Sequence, residues 1–512
     1  MSRTRRFVSG ISFGYAHQLI TIVVGLWLTP FLLFKVGQHE YGLWLVGTQL
    51  MFYLALLDLG VMALLPRETA FATGSSSIEE SSDLPIIVGE TLRLVLWQMP
   101  LVAFVAVSAW FLLPSEWAGL RQPLGVVLMA FVLTFPLRIF GAVLLGLQDL
   151  AFIGRLNIIS FLASTAITVA LVSAGFGLYA LALAWTAAIV IKGSVSWYRL
   201  ITKFPTVLPR SLPELRWCAT RARLTSGFWV SLNQVAQVLL NGTEILIIGK
   251  FFGPAAVVPY VCTGKLVSVL ATQPQLFMAS ASPALSQIRR GESRARLAQV
   301  CIALGQATLW LSGLGVCIVM VVNQGFVARW VGQDQYGGFW LTTLLLVAML
   351  LRHWNLTVGY TIFSFGHERR LCVTALFDGA LSVGGVFLFV WLFGPVGAPL
   401  GLMLGVCAIS LPANLRVLAR ETNSRLWELV KPLSAWFIRF TVLIFLAGTF
   451  ARIWRPDSVS LLILTAAIAA LIYLLSMFPL VLRDPLGFYL RPCLVSLRSR
   501  MLSAFRLRAS VS

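Results

Sequence analysis

Residues 14–60 read GYAHQLITIVVGLWLTPFLLFKVGQHEYGLWLVGTQLMFYLALLDLG, and the reading of this stretch decides the fold. Two apolar runs flank the polar turn Lys35-Val36-Gly37-Gln38-His39-Glu40. Each run is about as long as the roughly 20 residues that a helix needs to cross a bilayer core of about 30 Å. Inside hydrocarbon every backbone N–H and C=O must be satisfied internally, which a helix achieves within one segment. A barrel strand would instead show about ten residues of alternating hydrophobicity. The stretch is therefore expected to be a pair of membrane-spanning helices.

The same pattern recurs to the end of the chain. Of the 512 residues 58% are hydrophobic and 11% charged, against about 25% charged in a soluble domain. Spans are expected near 11–34, 41–65, 90–113, 122–147, 154–174, 177–198, 224–249, 257–285, 297–323, 339–365, 371–393, 395–415, 433–451 and 459–482. This is an all-α polytopic membrane protein with about 14 transmembrane helices.

The net charge of +20 is explained by topology rather than by nucleic acid. With a cytoplasmic N-terminus, only Lys35, Arg121, Lys250, Arg329, Arg452 and Arg455 of the 39 Lys and Arg residues fall in outside segments. Most of the others lie on the inside, as the positive-inside rule requires, and the opposite orientation would invert the rule. Both termini are expected in the cytoplasm of a bacterial inner-membrane protein. The start MSRTRRFVSG lacks a small-residue cleavage site after a short apolar core, so the first segment reads as a retained span. Seven scattered cysteines without CxxC spacing predict neither disulfides nor a metal site.

Gly37 and Gly253 occupy comparable outside turns, in FKVGQHEYGLW and KFFGPAAVVPY. A shift of about 216 residues also matches Trp44 with Tyr260 and brings Pro66 beside Pro283. This predicts two six-helix lobes of like orientation, 1–198 and 224–415, joined by the basic inter-lobe loop 199–223. Two additional transmembrane helices (416–482) and a basic amphipathic tail (483–512) follow. The tail carries Leu494, Leu497, Met501 and Phe505 at helical spacing and could lie on the anionic leaflet or be disordered. TGSSSIEESSD, within loop 66–89, reads as a flexible acidic segment.

Catalytic constellations are missing. His17, His39, His353 and His367 form no HExxH, and no serine stands in a GxSxG or P-loop context. No enzyme, cofactor or nucleic-acid partner is expected. The informative residues are ionisable groups at membrane depth, each costing roughly 2.5–3.5 kcal/mol unless it faces protein or water. Arg138 in TFPLRIFG, Arg352 and Lys265 form a candidate cationic, substrate-binding set. For the two arginines a cavity-facing role and an interhelical ion pair both remain open. His17, Asp58, Glu244, His353 and Asp378 are candidates for ion coupling or a polar cavity, with a structural role the better reading for Asp58. The positive balance suits an anionic cargo, because guanidinium matches phosphate oxygens.

The opening stretch followed by Arg67-Glu68, the G-x-x-x-Y-G-L-W turn (Gly37, Tyr41, Gly42, Trp44), LDLG (Leu57–Gly60) and the FFGPAAVVPY turn resemble the polysaccharide-transport branch of the multidrug/oligosaccharidyl-lipid/polysaccharide exporter superfamily. Members of that branch are Wzx-type flippases. The resemblance implies a two-lobed V-shaped bundle that flips an undecaprenyl-pyrophosphate-linked oligosaccharide to the periplasmic leaflet, with a cationic cavity mapped onto Arg138, Lys265 and Arg352. The lipid II flippases of the superfamily have an arginine-rich first span, whereas this one has only His17. Membrane lipids and other polysaccharide-assembly proteins are the remaining partners implied. The rival readings are a small-molecule exporter of the same fold, which needs an acidic cation site, and a glycan polymerase or glycosyltransferase, which needs a sizeable outside loop.

Overall fold

A computed structural model describes residues 3–73, 83–213, 217–454, 456 and 458–492, and contains no strand among them. Most of the acidic Ser-rich segment and the tail beyond residue 492 lie outside the described residues.

In chain order the helices are α1 (Arg3–Lys35), α2 (Gln38–Ala55), α3 (Val61–Ala72), α4 (Asp83–Phe111), α5 (Ala118–Thr134), α6 (Arg138–Gly146), α7 (Leu150–Ser173), α8 (Leu178–Lys203), α9 (Trp217–Leu240) and α10 (Thr243–Phe252). They continue with α11 (Pro254–Thr263), α12 (Lys265–Ala271), α13 (Gln273–Gly291), α14 (Arg294–Trp330), α15 (Phe339–Ser364), α16 (Glu368–Phe393), α17 (Ala398–Gly405), α18 (Leu411–Thr422), α19 (Leu426–Ile453) and α20 (Val459–Val481). Among the described residues, ten helical segments are long and apolar enough to cross a membrane, and thirteen if each sharply bent pair is one span. One of these segments, Glu368–Thr422, is 55 residues long, more than twice what a crossing needs. It folds back at Gly394–Gly397, so α16 and the α17–α18 arm run beside each other.

The chain divides into two compact units, Met1–Val258 and Pro259–Ser512. The boundary lies inside α11, so the seventh span, 224–249, packs in the first unit. Its anchors there are tertiary. Tyr53 Oη and Thr243 Oγ1 lie 2.6 Å apart, and Trp117 Nε1 donates to the Gly249 carbonyl at 3.2 Å.

In unit 1 the second span is broken. Leu59 (φ 50°) and Gly60 (φ 73°) both adopt left-handed backbone, which ends the helix, and α3 restarts at 51° to the segment before it. Asp58 stabilises the break by accepting the Gly60 N–H at 2.9 Å. A second break, at Asn241-Gly242, separates α9 and α10 by 43°. The two turns matched in the sequence share one backbone conformation: Gly37 has φ 93°, ψ 160° and Gly253 φ 81°, ψ 163°. That region is essentially open to glycine alone, which is why glycine marks both positions.

Unit 2 is built around the 37-residue α14. The two additional helices α19 and α20 pack on it through Leu309, Val316, Met320, Leu433, Trp436, Tyr473 and Met477, all buried. Trp436 Nε1 donates to Tyr473 Oη at 3.2 Å, and Tyr473 donates to the Trp310 carbonyl at 2.8 Å, so the polar ends of these two buried aromatic side chains are paired. The outer faces of α19 and α20 expose Phe445, Ile453, Leu464 and Leu475, as suits helices solvated by lipid tails. α16 and α17 pack closely, with the Gly401 Cα where an added methyl would reach Val386 backbone at 2.1 Å. Small residues let helices approach where lipid competes for apolar contact.

Candidate functional site

The ionisable groups at membrane depth resolve into two arginine–aspartate pairs, one in each unit. In unit 2, Arg352 on α15 meets Asp378 on α16 through both arms of the guanidinium, Nη1 to Oδ2 at 2.8 Å and Nη2 to Oδ1 at 3.2 Å. Asp378 is fully buried and Arg352 a quarter exposed. Ser382 donates to Oδ1 at 3.0 Å, and Ser410 makes a short hydrogen bond to Oδ2. Arg352 Nη2 reaches the Leu402 carbonyl at 3.4 Å as well. Two local features assemble this nest. A turn of π-helix at Val406–Ser410 shifts the register that follows it at the residue that supplies Ser410. Gly405 leaves room for the carboxylate, because a methyl there would lie 2.4 Å from Asp378 Oδ1.

In unit 1, Arg138 begins α6 directly after the 3₁₀ turn Phe135–Leu137 that contains Pro136. Its Nη2 reaches Asp58 Oδ2 at 3.4 Å, a single long contact. The guanidinium lies over the rings of Phe131 and Phe135, 5.7 and 5.5 Å from their centroids. Its Nη1 is buried without a hydrogen-bond partner among the described residues. Asp58 is 2% exposed and spends its other oxygen on the Gly60 turn. The pair is thus only partly satisfied.

The other candidates separate. His353 is buried between Ser312 Oγ, 2.7 Å from Nδ1, and the Ala271 carbonyl, 3.3 Å from Nε2. A carbonyl can only accept, so a neutral Nε2–H imidazole satisfies both contacts, and both ring nitrogens of His353 have partners within the protein. Glu244 caps the break before α10, its Oε2 accepting the Gly242 N–H at 3.0 Å. His17 packs edge-on against Phe161, with ring centroids 5.9 Å apart. Lys265 opens α12 immediately after the 58° bend at Gly264, half-buried and without a carboxylate partner among the described residues. No group of three metal-ligating side chains occurs among the described residues. Ser382, Ser410 and Gly405 were not singled out from the sequence. Their only signal is the recurrence of small residues in α16–α18.

A family model for polysaccharide biosynthesis proteins matches residues 101–310. Two solved structures align over most of the chain. One is an inward-facing multidrug resistance MATE family transporter of the MOP superfamily: TM-score 0.64, 14% identity, 81% of this chain and 98% of that one. The other is the lipid II flippase MurJ in an inward closed conformation: TM-score 0.64, 11% identity, 92% of this chain and 100% of that one. The chain has the fold of the MOP exporter superfamily. An outward-facing MATE transporter aligns less closely, at TM-score 0.52 and 15% identity, with 82% of this chain and 95% of that one covered. No curated protein matches the sequence significantly. Within the MOP fold, the stretch resembling polysaccharide biosynthesis proteins runs from α4 to α14 and includes Arg138, Asp58's partner, and Lys265.

Proposed function

We propose that this protein flips a polyprenyl-pyrophosphate-linked oligosaccharide from the cytoplasmic to the periplasmic leaflet of a bacterial inner membrane by alternating access. Both termini would lie in the cytoplasm. The observation that carries the reading is Arg138. It is a guanidinium at membrane depth, tethered to its carboxylate by one 3.4 Å contact and holding a buried Nη1 with no partner among the described residues. Such a group is ready to exchange a weak internal ion pair for two phosphate oxygens, which a guanidinium binds in bidentate fashion. Lys265 is the second cation we assign to the cargo. Arg352 is placed differently, because both of its terminal nitrogens are held by Asp378, with Ser382 and the Leu402 carbonyl beside them.

The polysaccharide-biosynthesis stretch supports a glycan cargo. The drug-exporter reading needs an unshared carboxylate for a cation; Asp58 and Asp378 are each held by an arginine, and Glu244 accepts the Gly242 N–H at the break before α10. The test is the leaflet location of lipid-linked oligosaccharide in cells depleted of the protein and complemented with wild type, Arg138→Lys or Arg138→Ala. Intermediate trapped on the cytoplasmic side in the depleted and Arg138→Ala cells is expected. Intermediate reaching the periplasm normally in depleted cells would remove the flippase reading.

A further inference from the structure

The basic end of unit 2, where α13, α14, α18 and the α15–α16 turn meet, holds a charge cluster that the transport reading does not use. Glu421, at the end of α18, is mostly buried and is surrounded by cations. Its Oε2 receives Arg289 Nη2 at 3.1 Å and Arg294 Nη1 at 3.5 Å, and its Oε1 lies 2.8 Å from His367 Nε2. Arg294 also donates to the Glu421 carbonyl at 2.7 Å, and Arg289 donates to the Phe365 carbonyl and covers the Phe365 ring. Two permanent cations therefore share one carboxylate, leaving a surplus positive charge even with His367 neutral.

That surplus faces open space. Arg289 and Arg294 line a cavity of about 610 Å³ with Ser286, Gln287 and Phe365. The volume lies within the roughly 300–1,000 Å³ common for ligand sites. Among the described residues that line it, none is acidic. Glu421 stands behind the arginines, 16% exposed against 33% for Arg289 and 57% for Arg294. One carboxylate oxygen bridging two guanidinium groups is also the arrangement a phosphate oxygen would adopt. Each guanidinium carries five N–H donors, more than Glu421 and the two carbonyls consume.

We infer that this cavity is a phosphate-binding site, with Arg289 and Arg294 as its ligands and Glu421 as an internal competitor that holds them in place. The phosphate belongs either to an anionic lipid headgroup or to a soluble or prenyl-linked diphosphate. The proposal stands apart from the flippase reading, since neither Arg138 nor Lys265 takes part.

The experiment uses the full chain in neutral detergent and measures binding of three probes: short-chain phosphatidylglycerol, farnesyl diphosphate and inorganic pyrophosphate. Arg289→Gln/Arg294→Gln is expected to weaken binding at least tenfold, and Glu421→Gln to leave it unchanged or tighten it. Ser286→Asp, which adds a carboxylate to the cavity wall one helical turn from Arg289 and leaves Glu421 and both arginines in the sequence, should weaken it too and keeps the test alive if the double variant does not fold. Binding of phosphatidylglycerol alone supports the site and identifies a headgroup, whereas binding of both diphosphates supports it and identifies the diphosphate. Absence of binding in all three arms, or equal binding by wild type, the folded double variant and Ser286→Asp, overturns the proposal.

Discussion

The two intramembrane arginine–aspartate pairs look alike in sequence and differ in construction. Arg138 and Arg352 stand 214 residues apart, close to the spacing of about 216 between the Gly37 and Gly253 turns, yet their counter-ions come from different places. Asp58 arises at a helix break in the second span, and Asp378 from the middle of the helix after Arg352. Asp378 accepts four hydrogen bonds, two from Arg352 and one each from Ser382 and Ser410. Asp58 accepts one from its own turn and one long bond from Arg138. Burying two charges is repaid only when geometry is good and the remaining valences are met. Unit 2 meets that condition, so its pair is a fixture of the fold. Unit 1 does not, and an incompletely satisfied cation is the one that a ligand anion can recruit.

The largest contrast should appear in stability. Asp378→Ala leaves a partly buried guanidinium without its anion and is expected to cost about 3–5 kcal/mol. Asp58→Ala removes one long contact to a third-exposed arginine and the acceptor of the Gly60 N–H, and should cost less, about 1–3 kcal/mol. Unfolding of both variants in detergent measures this, and equal losses would erase the distinction between the pairs. Gly405→Ala sharpens the same point from the backbone side. Its methyl would fall 2.1 Å from Ser382 Oγ and 2.4 Å from Asp378 Oδ1, an overpacking expected to cost about 1–3 kcal/mol. Gly384→Ala, which meets nothing within 4 Å, is the control and should be neutral.

Transport separates the pairs in the opposite sense. Arg138→Ala is expected to lower glycan export at least about tenfold at normal protein levels, equivalent to about 1.4 kcal/mol, with partial rescue by Arg138→Lys. Joint replacement Arg352→Met/Asp378→Leu removes a buried pair at similar volume and should leave both fold and export close to wild type. Lost export in the double replacement with normal export in Arg138→Ala would exchange the roles of the two arginines.

Much of this architecture was legible because its causes are local. Apolar length defines the spans, and the Gly37 and Gly253 turns can be read because their backbone is open to glycine alone. Charged residues at membrane depth could be picked out by type, since each demands a compensating environment. Their partners could not. Whether Arg352 finds Asp378 depends on helix register, and the π-turn that precedes α18 leaves no periodicity to read. The seventh span was expected to open the second lobe. It packs in the first unit through contacts such as Tyr53–Thr243, nearly 200 positions apart in the chain. Arg289 and Arg294 read simply as topology-setting cations, because Glu421 at the end of α18 and His367 in the turn before α16, which organise them, lie far along the sequence.

The smallest expected effect compares two ion pairs outside the spans. Burial works to raise the Glu421 carboxyl, but the hydrogen bond from His367 and the charges of Arg289, His367 and Arg294 outweigh it and hold it below its ordinary value of 4.5. The hydrogen bond from Lys250 likewise lowers Glu116 in the loop before α5. A carboxyl depressed in the folded state contributes stability that is present above its unfolded value and lost as pH falls through the lower folded value. Wild type should therefore exceed Glu421→Gln in unfolding midpoint at pH 7, with the gap closing below about pH 4.5. Glu116→Gln should show no measurable gap at any pH, because Glu116 and Lys250 are both about half exposed and solvent screens such pairs. A gap for Glu421→Gln that persists unchanged to low pH would mean that the side chain acts by shape rather than by charge, and the cations around it would then need no anion to hold them.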